Sequence, residues 1–329
     1  LPEGKTRALG LCSGGLDSIL AALVLKAQNI HVQWVSFETP FFSAKKAIEA
    51  SKNTGIALEV RNITDIYLNM LKDPRCGYGK NLNPCMDCHA LMFHLAGKIL
   101  KEQGFHFLFS GEVLGQRPMS QTRTSLRYVE KHSTMEGYIL RPLSAQKLPE
   151  TIPEQKGWVD RTRLLDIAGR SRKRQIQLAK EYGINSYPAP AGGCLLTDKN
   201  YCKRLKDLLD HDVTTHETDL MLLKYGRHFR LTPHSKMIVG RTQADNRKMS
   251  ELFKPSSHAM IRVKNYPSPL VLLTGGWTDQ SISLAGAVCT GYSKAPGNIP
   301  VDVVVKTPTG KTTQTVLKLN PGDVKHLLI

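Results

Sequence analysis

No apolar run in this sequence approaches a membrane span. The longest, such as Leu20 to Leu25 and Leu270 to Thr274, fall far short of the roughly 20 residues a bilayer-crossing helix needs. The opening residues, Leu1 to Lys5, hold no apolar signal core, so a cytoplasmic protein with no membrane partner is expected. Cysteine is sparse: seven residues, an odd number, are scattered over 329, which excludes a disulfide framework and leaves metal binding, catalysis or plain burial. There is no low-complexity tract and no internal repeat, so disorder and fibrous architectures are excluded as well. Acidic residues are also in short supply. With 28 Asp and Glu against 45 Lys and Arg the net charge is +17, an excess that favours a polyanionic partner through long-range attraction and counterion release. Nucleic acid is the leading partner class, and a generically basic surface is the bland alternative.

What is present is an alternation of short apolar runs and amphipathic stretches. Ala8 to Cys12, Val32 to Phe37, Ala57 to Val60 and Phe105 to Phe109 read as strands, with helices predicted over Ser18 to Ala27, Ser43 to Asn53 and Ala90 to Leu100. That order implies right-handed β-α-β units, an α/β fold with a mostly parallel sheet, and an active site at the carboxyl ends of the strands. From about Thr151 the chain becomes helix-rich and basic. After Arg230, apolar runs at Lys236 to Gly240, His258 to Val263, Leu270 to Thr274 and Val301 to Lys306 surround one helical stretch, Ser283 to Tyr292. Two domains are expected: 1–230, and a smaller α+β domain over 231–329.

The most specific local motif is Ser13-Gly14-Gly15-Leu16-Asp17-Ser18, between the first strand and the first helix. Glycines there let the backbone aim its N–H groups at an anion, while Ser13, Ser18 and the helix amino terminus add donors and partial positive charge. The Gly-Lys-Ser/Thr ending of a Walker A loop is absent. The motif resembles the PP-loop, Ser-Gly-Gly-x-Asp-Ser, of the ATP pyrophosphatases. That resemblance implies a PP-loop (HUP-like) fold, ATP and Mg²⁺, cleavage of ATP between its α and β phosphates, and transfer of AMP to a substrate carbonyl oxygen. Asp17 would then touch the metal or the phosphates.

Asn83-Pro84-Cys85-Met86-Asp87-Cys88-His89 leads into a helix, whose start lowers thiol pKa and makes thiolates available. Two thiolates cannot close a tetrahedral site. A third candidate ligand is Cys194, after Gly192-Gly193 on a tight turn. Cys12, Cys202 and Cys289 read as packed thiols, and Cys76 is unassigned. The Cys85 segment looks like that around the first catalytic cysteine of the MnmA-type tRNA thiouridylases, and Gly192-Gly193-Cys194 is similar in placement to the second. A Cys-x-x-Cys pair with one distant cysteine in a PP-loop protein also resembles TtuA and the archaeal ThiI-type enzymes, where three cysteines hold a 4Fe-4S cluster whose remaining iron can carry the sulfur. Carried over, the ligands are Cys85, Cys88 and Cys194. A redox pair, a zinc clip completed by His89 and cluster-free persulfide chemistry stay open.

After the fourth strand, Ser110, Gly111 and Glu112 are candidates for the nucleotide edge of the crevice, together with Phe37, while Gln116 and Arg117 are assigned to the RNA side. The segment resembles the Ser-Gly-(Glu/His) stretch of ThiI-type catalytic domains. Arg170, Arg172, Lys173 and Arg174, in the basic run from Arg161, are assigned to phosphates of an RNA backbone, against the alternative of a solvated face. In the tail, Leu284 to Ala295 followed by Val301 to Val303 resembles the RNA-binding domain of NFACT proteins; a β-rich oligomerisation domain is the alternative. The THUMP-like and rhodanese-type segments of bacterial ThiI proteins have no counterpart within these residues, so the tail is expected to take over RNA binding and the cluster to accept sulfide directly. Together these features imply ATP-dependent tRNA thiolation, 4-thiouridine synthesis favoured, with sulfide or a cysteine desulfurase as sulfur donor. The alternatives are 2-thiouridine synthesis by a persulfide relay, an ATP-dependent amide ligase, and a non-catalytic RNA-binding protein with structural zinc.

Overall fold

The computed structural model describes residues 5–188, 193–211 and 216–329. The chain divides into two compact units, Leu1–Thr197 and Asp198–Ile329.

The first unit runs β1 (Arg7–Leu11), α1 (Leu16–Lys26), β2 (His31–Glu38), α2 (Lys45–Thr54), β3 (Leu58–Asn62), α3 (Thr64–Lys72), α4 (Cys85–Gln103), β4 (Phe107–Ser110), α5 (Arg123–Ser133), β5 (Ile139–Leu140), α6 (Ile152–Gln155) and α7 (Lys173–Glu181). Its five strands are all parallel, in the order β3-β2-β1-β4-β5. Strands buried on both faces are apolar throughout rather than alternating, and β1 and β4 follow that rule. Gly10 is required by packing, because a Cβ there would stand 2.2 Å from the Phe109 ring on β4. The chain leaves β1 toward β2 on one side and toward β4 on the other, so a ligand crevice opens at the carboxyl ends of β1 and β4. This is the α/β, PP-loop-like architecture expected from the sequence. Two local readings differ. Helix α4 starts at Cys85, which puts the whole Cys-x-x-Cys-His segment in its first turns. The basic run is not one helix: Arg161–Arg163 forms a single 3₁₀ turn, Ala168 bridges to Leu114, and α7 begins only at Lys173.

The second unit contains α8 (Lys199–His211), α9 (Glu217–Leu222), β6 (Arg227–Thr232), β7 (Ser235–Val239), α10 (Gln243–Glu251), β8 (His258–Val263), β9 (Val271–Gly275), α11 (Asp279–Gly291), β10 (Val301–Thr307) and β11 (Gly310–Val316). Its six strands are antiparallel, in the order β11-β10-β8-β9-β7-β6. Position 230, where the sequence suggests a break, lies inside β6. Helix α8 belongs to this unit because its Asp207 accepts from Arg230 at 2.7 Å and pairs with Lys236 at 3.0 Å. One sheet face packs Ala259, Ile261, Val263 and Val303 against Ala285, Val288 and Cys289 of α11. The other packs Ile238, Leu270, Leu272 and Met260 against Met249 and Leu252 beside α10. Among the described residues no helix is long and apolar enough to cross a membrane.

Candidate active site

The turn from β1 into α1 is shaped by its glycines. Gly14 has φ +70°, and a Cβ on it would meet the Lys46 carbonyl carbon at 2.1 Å, so only glycine fits. Gly15 is the N-cap of α1 and no side chain caps the helix. The backbone N–H groups of Leu16 and Asp17 find no acceptor among the described residues, which leaves two donors and the positive helix end for an anion. The Ser13 oxygen takes the Gly15 N–H at 3.3 Å, and the Ser18 hydroxyl donates to the Gly15 carbonyl at 2.7 Å. Leu16, a member of the expected phosphate loop, is 1% exposed and packs in the core. Gly111 lets the end of β4 approach the same turn, since a Cβ there would lie 2.4 Å from the Ser18 nitrogen. Phe37 is buried within β2.

Asp17 is the centre of a hydrogen-bond chain the sequence did not announce. Its Oδ2 accepts from Gln116 Nε2 at 2.6 Å, and Gln116 Oε1 accepts from Gln175 Nε2 at 2.8 Å. Gln175, on α7, is fully buried. Oδ1 of Asp17 is buried and has no hydrogen-bond partner among the described residues. Burial pushes the carboxyl up, against the pull of the Gln116 hydrogen bond and the Arg172 and Arg117 charges. Gln116, assigned from sequence to the RNA side, thus joins the phosphate loop to α7. A buried carboxylate oxygen without a donor fits a divalent cation, and the helix N–H groups beside it fit the anion such a cation would accompany.

The three candidate cysteines are brought together from distant segments. Leu195 N donates to Phe41 O at 2.9 Å, and Asn81 Nδ2 donates to Thr197 O at 2.8 Å, so the segment carrying Cys194 is tied to the loops before α2 and α4. Cys85, Cys88 and Cys194 are all half-buried. Each lies within electrostatic reach of Tyr67, a fully buried tyrosine on α3 held between the rings of Phe41 and Phe42. The Tyr67 hydroxyl lies against the Cys88 thiol without reaching ordinary hydrogen-bond geometry, and it is otherwise an unpartnered buried donor. The sequence expectation of ready thiolates fails at Cys88: burial pushes its thiol up to about 12, and neighbouring Cys194, Cys85 and Asp87 add to the rise, while a contact with Tyr67 opposes it. Desolvation and negative neighbours outweigh the helix terminus. Among the described residues no three His, Cys, Asp or Glu side chains form a ready cage for a single metal ion. A tetrahedral zinc clip would need sulfurs about 4 Å apart around one point, from a Zn–S bond of about 2.3 Å; a cluster takes its thiolates on separate irons. Three thiols are a soft donor set of the kind that zinc and iron–sulfur clusters both take. Gly192 lies outside the described residues.

Beneath these groups runs a buried ion network. Glu112 accepts from His89 Nδ1 at 2.8 Å, Arg141 Nε at 3.0 Å and the Ser110 hydroxyl at 3.1 Å, and Arg141 also pairs with Glu130. Burial alone would raise Glu112, but Arg141 and His89 outweigh it and hold the carboxyl at about 2. Ser110 and Glu112, assigned to the nucleotide edge, are therefore turned toward the base of α4, where His89 follows Cys88. Asp87 accepts from Cys76 N at 2.8 Å and from the Tyr128 hydroxyl at 2.7 Å, fixing the loop before the helix. Tyr67, Asp87, Arg141 and Gln175 were missed from sequence; only the adjacency of Asp87 to the cysteines could have flagged any of them.

The basic run is split in its roles. Arg161 pairs with Glu154, Arg163 donates to the Ala27 carbonyl at the end of α1, and Arg174 pairs with Asp166 at 2.6 Å. Arg117, Arg170 and Lys173 are exposed, and Arg172 is half-buried near Asp17. Cys12, Cys202 and Cys289 are buried, as expected of packed thiols, and Cys76 is exposed.

The family model described as "Thiamine biosynthesis protein (ThiI)" matches residues 4–152, and that described as "NFACT protein RNA binding domain" matches residues 226–327. A "Probable tRNA sulfurtransferase" of Caldanaerobacter subterraneus subsp. tengcongensis is 31% identical over 162 residues, covering 46% of this chain and 40% of the relative. Another of that description, from Thermoanaerobacter sp. (strain X514), is 28% identical over 188 residues, covering 54% of this chain and 44% of the relative. The chain thus spans less than half the length of these curated relatives. Among solved structures, a predicted subunit of tRNA methyltransferase from Methanocaldococcus jannaschii aligns over 54% of this chain and 76% of its own, at 16% identity and a TM-score of 0.35, too low to carry weight. The first match lies within the first unit and the second within the second unit, so one chain carries a stretch similar to the ThiI model followed by one similar to the NFACT RNA-binding model.

Proposed function

We propose that the protein is an ATP-dependent tRNA sulfurtransferase that replaces a uridine carbonyl oxygen with sulfur, with 4-thiouridine as the favoured product. The observation that carries this reading is the gathering of Cys85, Cys88 and Cys194 about Tyr67 in the same unit as the Ser13–Ser18 loop. In the reaction the uridine oxygen attacks the α-phosphorus of ATP, the α–β bond breaks and pyrophosphate leaves; sulfur then adds to the activated carbon, and AMP departs with the oxygen. The N–H groups of Leu16 and Asp17 bind the departing pyrophosphate as its charge develops. Asp17 Oδ1 would hold Mg²⁺, which when bound supplies positive charge to the same phosphates. Gln116, fixed by Gln175, holds the Asp17 carboxylate in place. Cys85, Cys88 and Cys194 would hold a 4Fe-4S cluster, which when bound supplies one iron without a protein ligand, where sulfide can be received; persulfide sulfur from a cysteine desulfurase would enter only after two-electron reduction to sulfide by an external dithiol, which leaves as its disulfide. The buried Tyr67 hydroxyl is a donor facing that site.

The second reading, a persulfide relay yielding 2-thiouridine, needs a nucleophilic thiolate at neutral pH. The raised Cys88 thiol disfavours it, whereas metal ligation deprotonates a thiol outright. An amide ligase has no use for three clustered cysteines. Mass spectrometry of tRNA nucleosides from a deletion strain tests the proposal. Loss of 4-thiouridine supports it, loss of a 2-thiouridine redirects it to the second reading, and an unchanged set of thiolated nucleosides overturns it.

A further inference from the structure

The two faces of the second unit's sheet are covered unequally. Helix α11 lies across one face, reaching β10 and β11 through Gly286, whose Cβ position is within 3.3 Å of Val303 and Val316. On the other face, α10 and its cluster cover β7, β9 and the near side of β8 through Ile238, Leu272 and Met260. Among the described residues no helix lies over the strip formed by β8, β10 and β11 beyond α10. Side chains directed to that strip follow from the register: Arg262 stands opposite Val304 and Val304 opposite Thr313, while Lys306 stands opposite Met260 and Lys311. Arg262, Lys306, Lys311 and Thr313 are exposed.

Between α10 and this strip lies a cleft of about 450 Å³, lined by Gln243, Asn246, Arg247, Ser250, Glu251 and Arg262. Its acid is already neutralised, since Glu251 pairs with Lys248 at 2.8 Å. Asp302, at the far end of the strip, is paired with Lys264 and accepts from Thr315. Asn246 Oδ1 takes the Leu270 N–H at 3.0 Å, which fixes the cleft wall. The guanidinium groups of Arg247 and Arg262, by contrast, make no hydrogen bond or ion pair among the described residues. Two unengaged guanidiniums facing one cleft repel each other, and an arrangement of that kind is relieved by an anion both can reach. The guanidinium fork suits phosphate oxygens. The residues lining it are all polar or charged, and Lys306 and Lys311 continue the positive charge along the strip.

We propose that the uncovered strip of β8, β10 and β11 is the docking face for the RNA backbone, with Arg247 and Arg262 gripping a phosphate in the cleft beside α10. This rests on the reading that the protein acts on tRNA, and it adds which surface of the second unit meets the nucleic acid. It differs from the assignment of RNA contacts to Arg170 and its neighbours in the first unit.

The full-length protein and its R247E/R262E variant are compared for tRNA binding over a range of salt concentrations. The expected result is at least a tenfold loss of affinity at fixed salt. The slope of log K against log salt should shrink by about 0.7–0.9 for each lost phosphate contact. Maximal pyrophosphate release at saturating tRNA stays unchanged. R247A/R262A, which removes charge without reversing it, should show the same loss to a smaller extent. K294E/K325E changes net charge by the same amount away from the strip and should bind within twofold of wild type. If R247E/R262E binds like wild type, or if the control variant loses as much, the docking face is wrong. If the wild-type protein binds no tRNA, the tRNA reading itself falls.

Discussion

Replacing Arg141 by methionine tests whether the buried network under α4 is an energetic necessity. The Arg141 side chain is 2% exposed, and its Nε and Nη1 serve Glu112 and Glu130. Glu112 is itself buried, and its carboxyl is held at about 2, against an ordinary 4.5. At about 1.4 kcal/mol per pH unit, this corresponds to roughly 3 kcal/mol of stability tied to the ionised carboxylate. Because the folded value is depressed, that stability is fully present above about pH 4.5 and is lost as the pH falls toward 2. Arg141→Met retains bulk but leaves Glu112 buried without its principal counter-charge, so a loss of about 3–5 kcal/mol is expected at pH 7. For a unit of this size the loss lowers Tm by about 6–20 °C. The difference from wild type should narrow in acid, where the orphaned carboxylate takes up a proton. Adding Glu112→Gln should recover much of it, since both charges are then gone. Urea unfolding followed by tryptophan fluorescence reads the effect, as Trp34 and Trp158 lie in the first unit. A loss below about 1 kcal/mol that is independent of pH would refute the reasoning.

Four further outcomes are expected. Gly14→Ala should abolish pyrophosphate release, because its Cβ collides with the Lys46 backbone, whereas Gly55→Ala, at φ +67° with open space around it, should cost only about 1 kcal/mol and retain activity; equal activity in the two variants would contradict this. Asp17→Asn should lose RNA-dependent pyrophosphate release while unfolding at the wild-type temperature, and wild-type turnover would remove Asp17 from the site. Anaerobically purified protein should be brown with about four irons per chain. Cys85→Ala, Cys88→Ala and Cys194→Ala should each lose iron and sulfur transfer, and Cys202→Ala and Cys289→Ala should keep both; full transfer by a colourless, iron-chelated preparation would reject the cluster. In metal-free protein at pH 8, iodoacetamide should modify exposed Cys76 first and Cys88 slowly, since burial holds the Cys88 thiol at about 12; rapid labelling of Cys88 by peptide mass spectrometry would show a thiolate there.

The Ser13–Ser18 turn was legible in the sequence because its physics is local. A strand ending at Leu11, a glycine able to take φ +70° and a helix start at Leu16 are all set by residues within a few positions of one another. Strands β1 to β4 of the parallel sheet were legible for the same reason, as short apolar runs, whereas the two-residue β5 was not. In the second unit β7, β8, β9 and β10 were legible too, but β6, where the break was expected, and β11 were not: the Gly-Lys-Thr-Thr-Gln-Thr-Val of β11 carries no apolar alternation and becomes a strand only by pairing along β10. The site divides in the same way. Cys85 and Cys88 were marked by their spacing, but whether Cys194 joins them depends on two hydrogen bonds from Leu195 and Thr197 to loops far away in the chain. Tyr67, Gln175 and Arg141 carry no local signature, since each acquires its role from what closure of the chain buries it against. The Cys88 thiol makes the contrast plainest. Helix position alone argued for a ready thiolate, and only the folded surroundings, by burial and by placing other thiols alongside, push the metal-free Cys88 thiol up instead. Sequence determines which chemistry can occur over a span of a few residues; burial and long-range closure decide which charges exist and which groups meet.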